Sequence, residues 1–204
     1  SCLSIRPTAA HGSRSPSTAT HDRRRRGVPL ASLSASSVTS SEFRSRFSLD
    51  DRAAHALDRY CALLAGWTGG NVTGLRDRTH IEQALMSDSL ALLELPELQA
   101  AQGRWADLGA GAGIPGLPLA VAMPAASVVL VESVAKKCQF LREAVIAAGV
   151  HDRVDVVCLR SEEYAAKGAA GRRAFGLVLA RAVGPLPVVL ELAAPLAAPN
   201  GRVL

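Results

Sequence analysis

The stretch "ADLGAGAGIPG", residues 106–116, constrains this chain more than any other. It overlaps the end of the short strand-like "RWADL" and leads into a helix with Pro115 in its first turn, a place that tolerates proline. Strand, glycine turn and helix in that order open a βαβ unit. The alternation continues toward the C-terminus. "SVVLVE" is a continuous apolar run, the mark of a strand covered on both faces of a parallel sheet. "SVAKKCQFLREAVIAAG" predicts a helix with Val134, Cys138, Leu141, Val145 and Ala148 on one face and Gly149 as its stop. "RVDVVCL" and "FGLVLA" read as two more strands, residues 188–198 as a helix, and "GRVL" as the opening of a fifth strand. The expected fold is α/β, a doubly wound sheet with right-handed crossovers.

Ahead of the sheet, "SLDDRAAHALDRYCALLAGW" predicts a helix capped by Ser48, with Asp50 and Asp51 in its first turn. Ala53, Leu57, Tyr60, Leu64 and Trp67 form its apolar stripe, and Gly69 and Gly70 stop it. A second helix is expected over residues 79–95, closed by Pro96. The chain thus divides into a leader (1–46), a helical extension (47–100) and a core (101–204). The leader is rich in Ser, Thr, Ala and Arg and lacks periodicity, so disorder is expected. It matches the composition of an organelle transit peptide; the competing reading is a plain disordered tail whose "RRRR" binds acidic partners.

The formal charge of +5 resides in that leader, where eight arginines face only Asp22 and Glu42. The other 158 residues carry 15 basic and 16 acidic side chains, so the body offers no basic excess of the kind that marks nucleic-acid binders. No run approaches the roughly 20 apolar residues of a membrane span. Cys2, Cys61, Cys138 and Cys158 include no C-x-x-C pair, and reduced, buried thiols are expected, with neither a zinc site nor a disulfide framework.

The glycine loop admits two frames. Gly111, Gly113 and Gly116 spell the G-x-G-x-x-G of dinucleotide sites, whereas Asp107, Gly109, Gly111 and Gly113 spell D-x-G-x-G-x-G, which suits S-adenosylmethionine. Glu132, at the end of the second strand, can accept hydrogen bonds from ribose hydroxyls in either. The strand already closes at Asp107–Gly109, so Gly111 comes two residues later than a dinucleotide site requires. Asp107 is an awkward neighbour for a pyrophosphate and a suitable one for a cationic amino-acid group. The frame favours S-adenosylmethionine; a dinucleotide and a merely structural turn remain as alternatives.

"DLGAGAGIPGLPLA", "LVESVAKKCQFL", "SEEY" and "LARAVGPL", in that order, resemble the bacterial small-subunit ribosomal RNA guanine-N7 methyltransferases, the family called RsmG or GidB. "YCALLAGWTGGNVTGLRD" and "SDSL" are similar to that family's helical preface, and "VESVAKKC" to its plastid members. The resemblance implies a class I, Rossmann-like methyltransferase fold. The implied reaction is methyl transfer from S-adenosylmethionine to N7 of a guanine in small-subunit rRNA. It implies cofactor contacts at Gly109, Ile114, Ser161 and Glu162, a ribose acid at Glu132, and Arg181 near cofactor and substrate. Asn71 and Arg76 are candidates for RNA contact, or for capping the turn after the first helix. The implied partners are small-subunit rRNA or the ribosomal subunit. A monomer, no metal and no membrane are expected, in the plastid stroma before the mitochondrion.

Bland readings stand beside these. Arg181 could pair structurally with a carboxylate such as Asp107, Glu162 and Glu163 could be an exposed loop pair, and Lys136 and Lys137 a solvated helix face. The family's Arg-His pair is replaced by Ala84 and Leu85, and "WTGGNVT" departs from its pattern. The family also continues beyond the position of Leu204, so a C-terminally incomplete core with an exposed sheet edge is expected. Two other functions compete with the transferase. One is a non-catalytic ribosome-assembly factor that keeps the fold. The other is a dinucleotide-binding oxidoreductase, disfavoured because Tyr164 is followed by Gly168 where such enzymes carry Y-x-x-x-K.

Overall fold

The alternation resolves into five parallel strands in the order β3-β2-β1-β4-β5. They are β1 (Arg104–Leu108), β2 (Ser127–Glu132), β3 (Val154–Cys158), β4 (Phe175–Ala180) and β5 (Ala197–Val203). The computed structural model describes residues 37–204. In-register pairing sets Leu108 beside Val131 of β2 and Ala180 of β4. Strands are added outward from β1 on one side through β3 and then on the other from β4. This puts the sheet's switch point at the end of β1, where the glycine loop begins.

Side chains alternate between two cores, as a period of two demands. Trp105, Val128, Leu130, Leu177 and Leu179 face the core shared with α2 (Asp51–Gly66), α6 (Gly116–Ala122) and α7 (Ala135–Ala148). Ala106, Leu108, Val129, Val131 and Val178 face the second core, with Tyr164 of α8 (Ser161–Tyr164) and Ala193 of α9 (Leu186–Ala193). On α9, Leu186, Val188 and Leu190 are exposed. The expected helix at 188–198 is therefore placed too late and the fifth strand too short. The chain turns after Ala193 and pairs with β4 from Ala197 onward.

Two boundaries in the extension also differ from expectation. Asp50, not Ser48, caps α2, its carboxylate accepting from the Ala53 N–H at 2.7 Å, while Ser48 sits at φ 53°. The second helix is composite: α3 (Arg78–His80), a π turn (Ile81–Met86), α4 (Ser87–Ala91) and a 3₁₀ turn (Leu92–Glu94), with α5 (Pro96–Gln99) next in the chain.

The leader does not run unstructured to residue 46. Residues 1–36 lie outside the described residues, but α1 (Ser41–Arg46) is capped by Ser40, which accepts from the Phe43 N–H at 3.2 Å. Phe43 and Phe47, four residues apart, bury on one side of that turn, and the Val38 N–H donates to the Glu82 carboxylate at 3.1 Å. This apolar pair and its serine cap account for the turn at residues 41–46.

The expectation of reduced thiols is corrected at one pair. Cys138 of α7 and Cys158 of β3 are joined by a disulfide across 5.8 Å between Cα atoms. Cys61 is free and buried, and burial pushes its thiol up to about 12. The pairing escaped the spacing argument because the two cysteines meet only through the β2–α7–β3 crossover.

Candidate functional site

Everything at the carboxyl end of β1 is organised by the backbone of the glycine loop. Gly109, Gly111 and Gly113 all take positive φ, at 66°, 56° and 89°. The last two lie within a tight turn in which the N–H groups of Gly113 and Ile114 both donate to the Ala110 carbonyl. At Gly109 a side chain would also collide, its Cβ falling 3.0 Å from Cγ2 of Val183. Positive φ and the Val183 methyl together favour glycine there.

Two carboxylates clamp this loop from opposite sides. Glu132, at the end of β2, accepts from the Gly111 N–H at 2.9 Å through Oε2 and from the Val134 N–H at 2.9 Å through Oε1. Each oxygen keeps a second lone pair, so Glu132 can still accept from a ligand hydroxyl. Asp107 is wholly buried beneath the loop, and its Oδ2 accepts from the Gly116 N–H at 2.8 Å, the first residue of α6. Burial pushes its carboxyl up to about 7 against the pull of the Gly116 N–H; Glu132 adds to the rise and Arg181 opposes it. Asp107 thus shapes the loop rather than lining an open surface, and its Oδ1 is buried without a hydrogen-bond partner.

Gly116, the third glycine of the literal dinucleotide motif, has a packing role. A Cβ there would lie 2.7 Å from Oδ2 of Asp107 and 2.9 Å from Leu130. The helix can approach β1 this closely only because position 116 is glycine.

A further support comes from outside the sheet. The Tyr60 hydroxyl of α2 donates to the carbonyl of Ala112, at the centre of the loop. Tyr60 is fully buried, and burial raises its phenol well above the usual range, so it stays a donor. Its place in an apolar stripe gave only a packing role; the one available signal was a hydroxyl in a stripe otherwise filled by hydrocarbon and indole.

Gly109, Ser161 and Glu162 come together around a cavity of about 300 Å³, with Val131, Ser133 and Val183. The Ser161 hydroxyl donates to the Glu162 carboxylate at 2.9 Å. Backbone and Ser161 hydrogen bonds hold that carboxyl below its usual range. Ile114 is set differently: its side chain belongs to the core on the α6 face, and its N–H is taken by Ala110.

Arg181, just past β4, pairs with Asp88 of α4 at 3.2 Å, not with Asp107. The two border a second cavity, about 240 Å³, with Ser89, Pro115, Leu179 and Ala180. Arg76 donates to the Trp67 carbonyl at 2.7 Å, which caps the end of α2, and Asn71 is exposed in the same connection. The structure brings neither into the two cavities. Ala84 and Leu85, which stand where the family has Arg-His, fall in the π turn before Asp88.

Among the described residues, no group of three or more His, Cys, Asp or Glu side chains is placed to hold a metal ion, and no helix is long and apolar enough to cross a membrane. The family model described as rRNA small subunit methyltransferase G matches residues 53–204. Ribosomal RNA small subunit methyltransferase G of Rubrobacter xylanophilus is 43% identical over 146 residues, covering 72% of this chain and 55% of that protein. Its counterpart in Stenotrophomonas maltophilia is 40% identical over 157 residues, 76% of this chain and 69% of that one. The chain spans about half the length of the first curated relatives it matches, 55% for both the Rubrobacter protein and the one from Sorangium cellulosum. Among solved structures, the apo form of the S-adenosylmethionine-dependent methyltransferase SibL superposes with a TM-score of 0.51 at 17% identity, over 79% of this chain and 51% of that one. That likeness shows the fold: class I, Rossmann-like α/β.

Proposed function

The chain belongs to the rRNA small subunit methyltransferase G family, and from that premise we propose that the protein transfers the methyl group of S-adenosylmethionine to N7 of a guanine in small-subunit ribosomal RNA. The observation that carries the reading is the clamped loop: Gly111 bonded to Glu132 at 2.9 Å, with Gly109 opening onto the cavity that also holds Ser161 and Glu162.

The residues fit this cofactor. Gly109 leaves open the space that a Cβ would fill, and Ser161 and Glu162 supply polar contacts on the β3 side. Glu132 is not itself in the cavity wall but lies between two residues that are, Val131 and Ser133, and retains acceptor capacity for ribose hydroxyls. Its sulfonium supplies an electrophilic methyl carbon. Guanine N7 already presents a lone pair, so no side chain has to remove a proton. What the protein contributes is alignment and exclusion of water. Asp107 and Tyr60 hold the loop rigid from below and behind, Arg181 stands beside the second cavity, and the carboxylates stay nearby as positive charge moves toward the purine.

Calorimetric titration tests the cofactor half of this reading. S-adenosylmethionine should bind, and more weakly to Glu132→Gln. Binding of NADH with none of S-adenosylmethionine would replace the proposal with the oxidoreductase alternative.

The site of action we propose is the plastid stroma, on the arginine-rich, acid-poor composition of residues 1–46. Residues 1–36 fused to a fluorescent reporter should direct it to plastids; a cytosolic reporter would remove the proposal.

A further inference from the structure

We infer that Asp88 and Arg181 form a dyad that reads the edge of the target guanine, with Asp88 as the specificity-determining residue. The inference rests on the guanine-N7 reading above and deepens it.

The 240 Å³ cavity is bordered by the Asp88 carboxylate and the Arg181 guanidinium, 3.2 Å apart, and by Ser89, whose hydroxyl already donates to the Leu85 carbonyl at 2.6 Å. Beyond these three, the walls are the apolar side chains of Leu92, Pro115, Leu179, Ala180 and Leu204, which suit the faces of a planar base. Pro115 belongs to the glycine loop, and Arg181 lies two residues from Val183 of the cofactor cavity. A base seated there is therefore next to the cofactor. Enzymes that modify bases take them out of the stack and read them through their Watson–Crick edge.

Guanine's edge matches this pair and adenine's does not. Guanine presents O6, an acceptor, then N1–H and the N2 amino group, two donors side by side. A carboxylate accepts from both donors at once, and a guanidinium donates to O6, which adjoins the reacting N7. Adenine would set its N1 lone pair against the carboxylate. In the structure the dyad closes on itself, one Arg181 Nη2 donating to Asp88 Oδ2. An ion pair this exposed, 38% and 46%, adds little to stability, so exchanging it for a base edge costs little. The placement of Asp88 is also unusual. It stands two residues after a π turn that closes with the Ser87 N–H reaching back to the Glu82 carbonyl, and such turns recur at functional sites.

The test uses the full protein and small-subunit rRNA carrying either guanosine or inosine at the methylated position. Inosine keeps N7, O6 and N1–H and lacks only the N2 amino group. Wild-type protein should prefer guanosine by roughly tenfold or more in kcat/KM, the discrimination a bidentate contact supplies. Asp88→Ala, which removes both acceptor oxygens, should lose that preference, the ratio falling to near one, with S-adenosylmethionine binding unchanged by calorimetry. Equal methylation of both RNAs by wild type, or an unaltered ratio in Asp88→Ala, would overturn the dyad while leaving the methyltransferase standing. No transfer to either RNA by wild type would overturn the reading beneath it as well.

Discussion

The Tyr60 hydroxyl donates to the carbonyl of Ala112, fifty-two residues further along the chain. The helical extension is thereby part of the site, because α2 fixes the loop that the sheet only presents. Tyr60→Phe removes the donor and leaves a buried carbonyl unsatisfied, which should cost about 1–3 kcal/mol in urea unfolding. A loosened loop should also weaken S-adenosylmethionine binding, read by calorimetry. A variant with unchanged affinity would reduce Tyr60 to packing.

Asp107 should make stability depend on pH in an uncommon direction. Its carboxyl titrates at about 7 when folded, above the unfolded value near 3.9. Between those values the folded state binds more protons than the unfolded chain, so this group's contribution falls as pH rises through the window and is flat above it. Wild type minus Asp107→Asn, measured by urea unfolding from pH 4 to 8, should show that decline, on the order of a few kcal/mol. Asparagine keeps an acceptor for the Gly116 N–H. A difference that rises with pH would contradict the assignment.

Gly116→Ala places a methyl group against Asp107 and Leu130, both under 3.0 Å away. Overpacking of this kind costs about 1–3 kcal/mol and should shift the loop. Thermal unfolding and cofactor titration should both worsen. A variant as stable as wild type would show that α6 can move off β1 freely.

The Cys138–Cys158 disulfide closes a loop of 20 residues, for which the chain-entropy model gives about 3 kcal/mol. Reductant should lower the urea midpoint of wild type and leave a Cys138→Ser, Cys158→Ser double variant unaffected. Identical midpoints with and without reductant would show that the bond adds nothing.

What the sequence revealed and what it hid divide along physical lines. β2 and β4 were legible because strands buried on both faces must be apolar throughout, as in "SVVLVE". The glycine loop was legible because positive φ leaves few alternatives to glycine. Local chemistry was ambiguous where two acceptors compete, as with Ser48 and Asp50 two residues apart. The π turn left no mark because it buries Ile81 and Met86, five residues apart, together with the polar Glu82 and Ser87, a spacing that no α-helical stripe announces. Contacts across long separations were invisible: Arg181 meets Asp88 across 93 residues, and the composition of neither neighbourhood announces it. For the same reason Asp107, legible as an acid beside the loop, was not legible as one buried under it.

The most direct test is methyl transfer itself. The full protein, incubated with S-adenosylmethionine and small-subunit ribosomal RNA, should place a methyl group on N7 of a guanine. Borohydride reduction and aniline cleavage would then cut the RNA at a single new position. RNA that stays uncut after incubation, with the cofactor shown to be bound, would contradict the proposed activity and leave the non-catalytic assembly factor in its place.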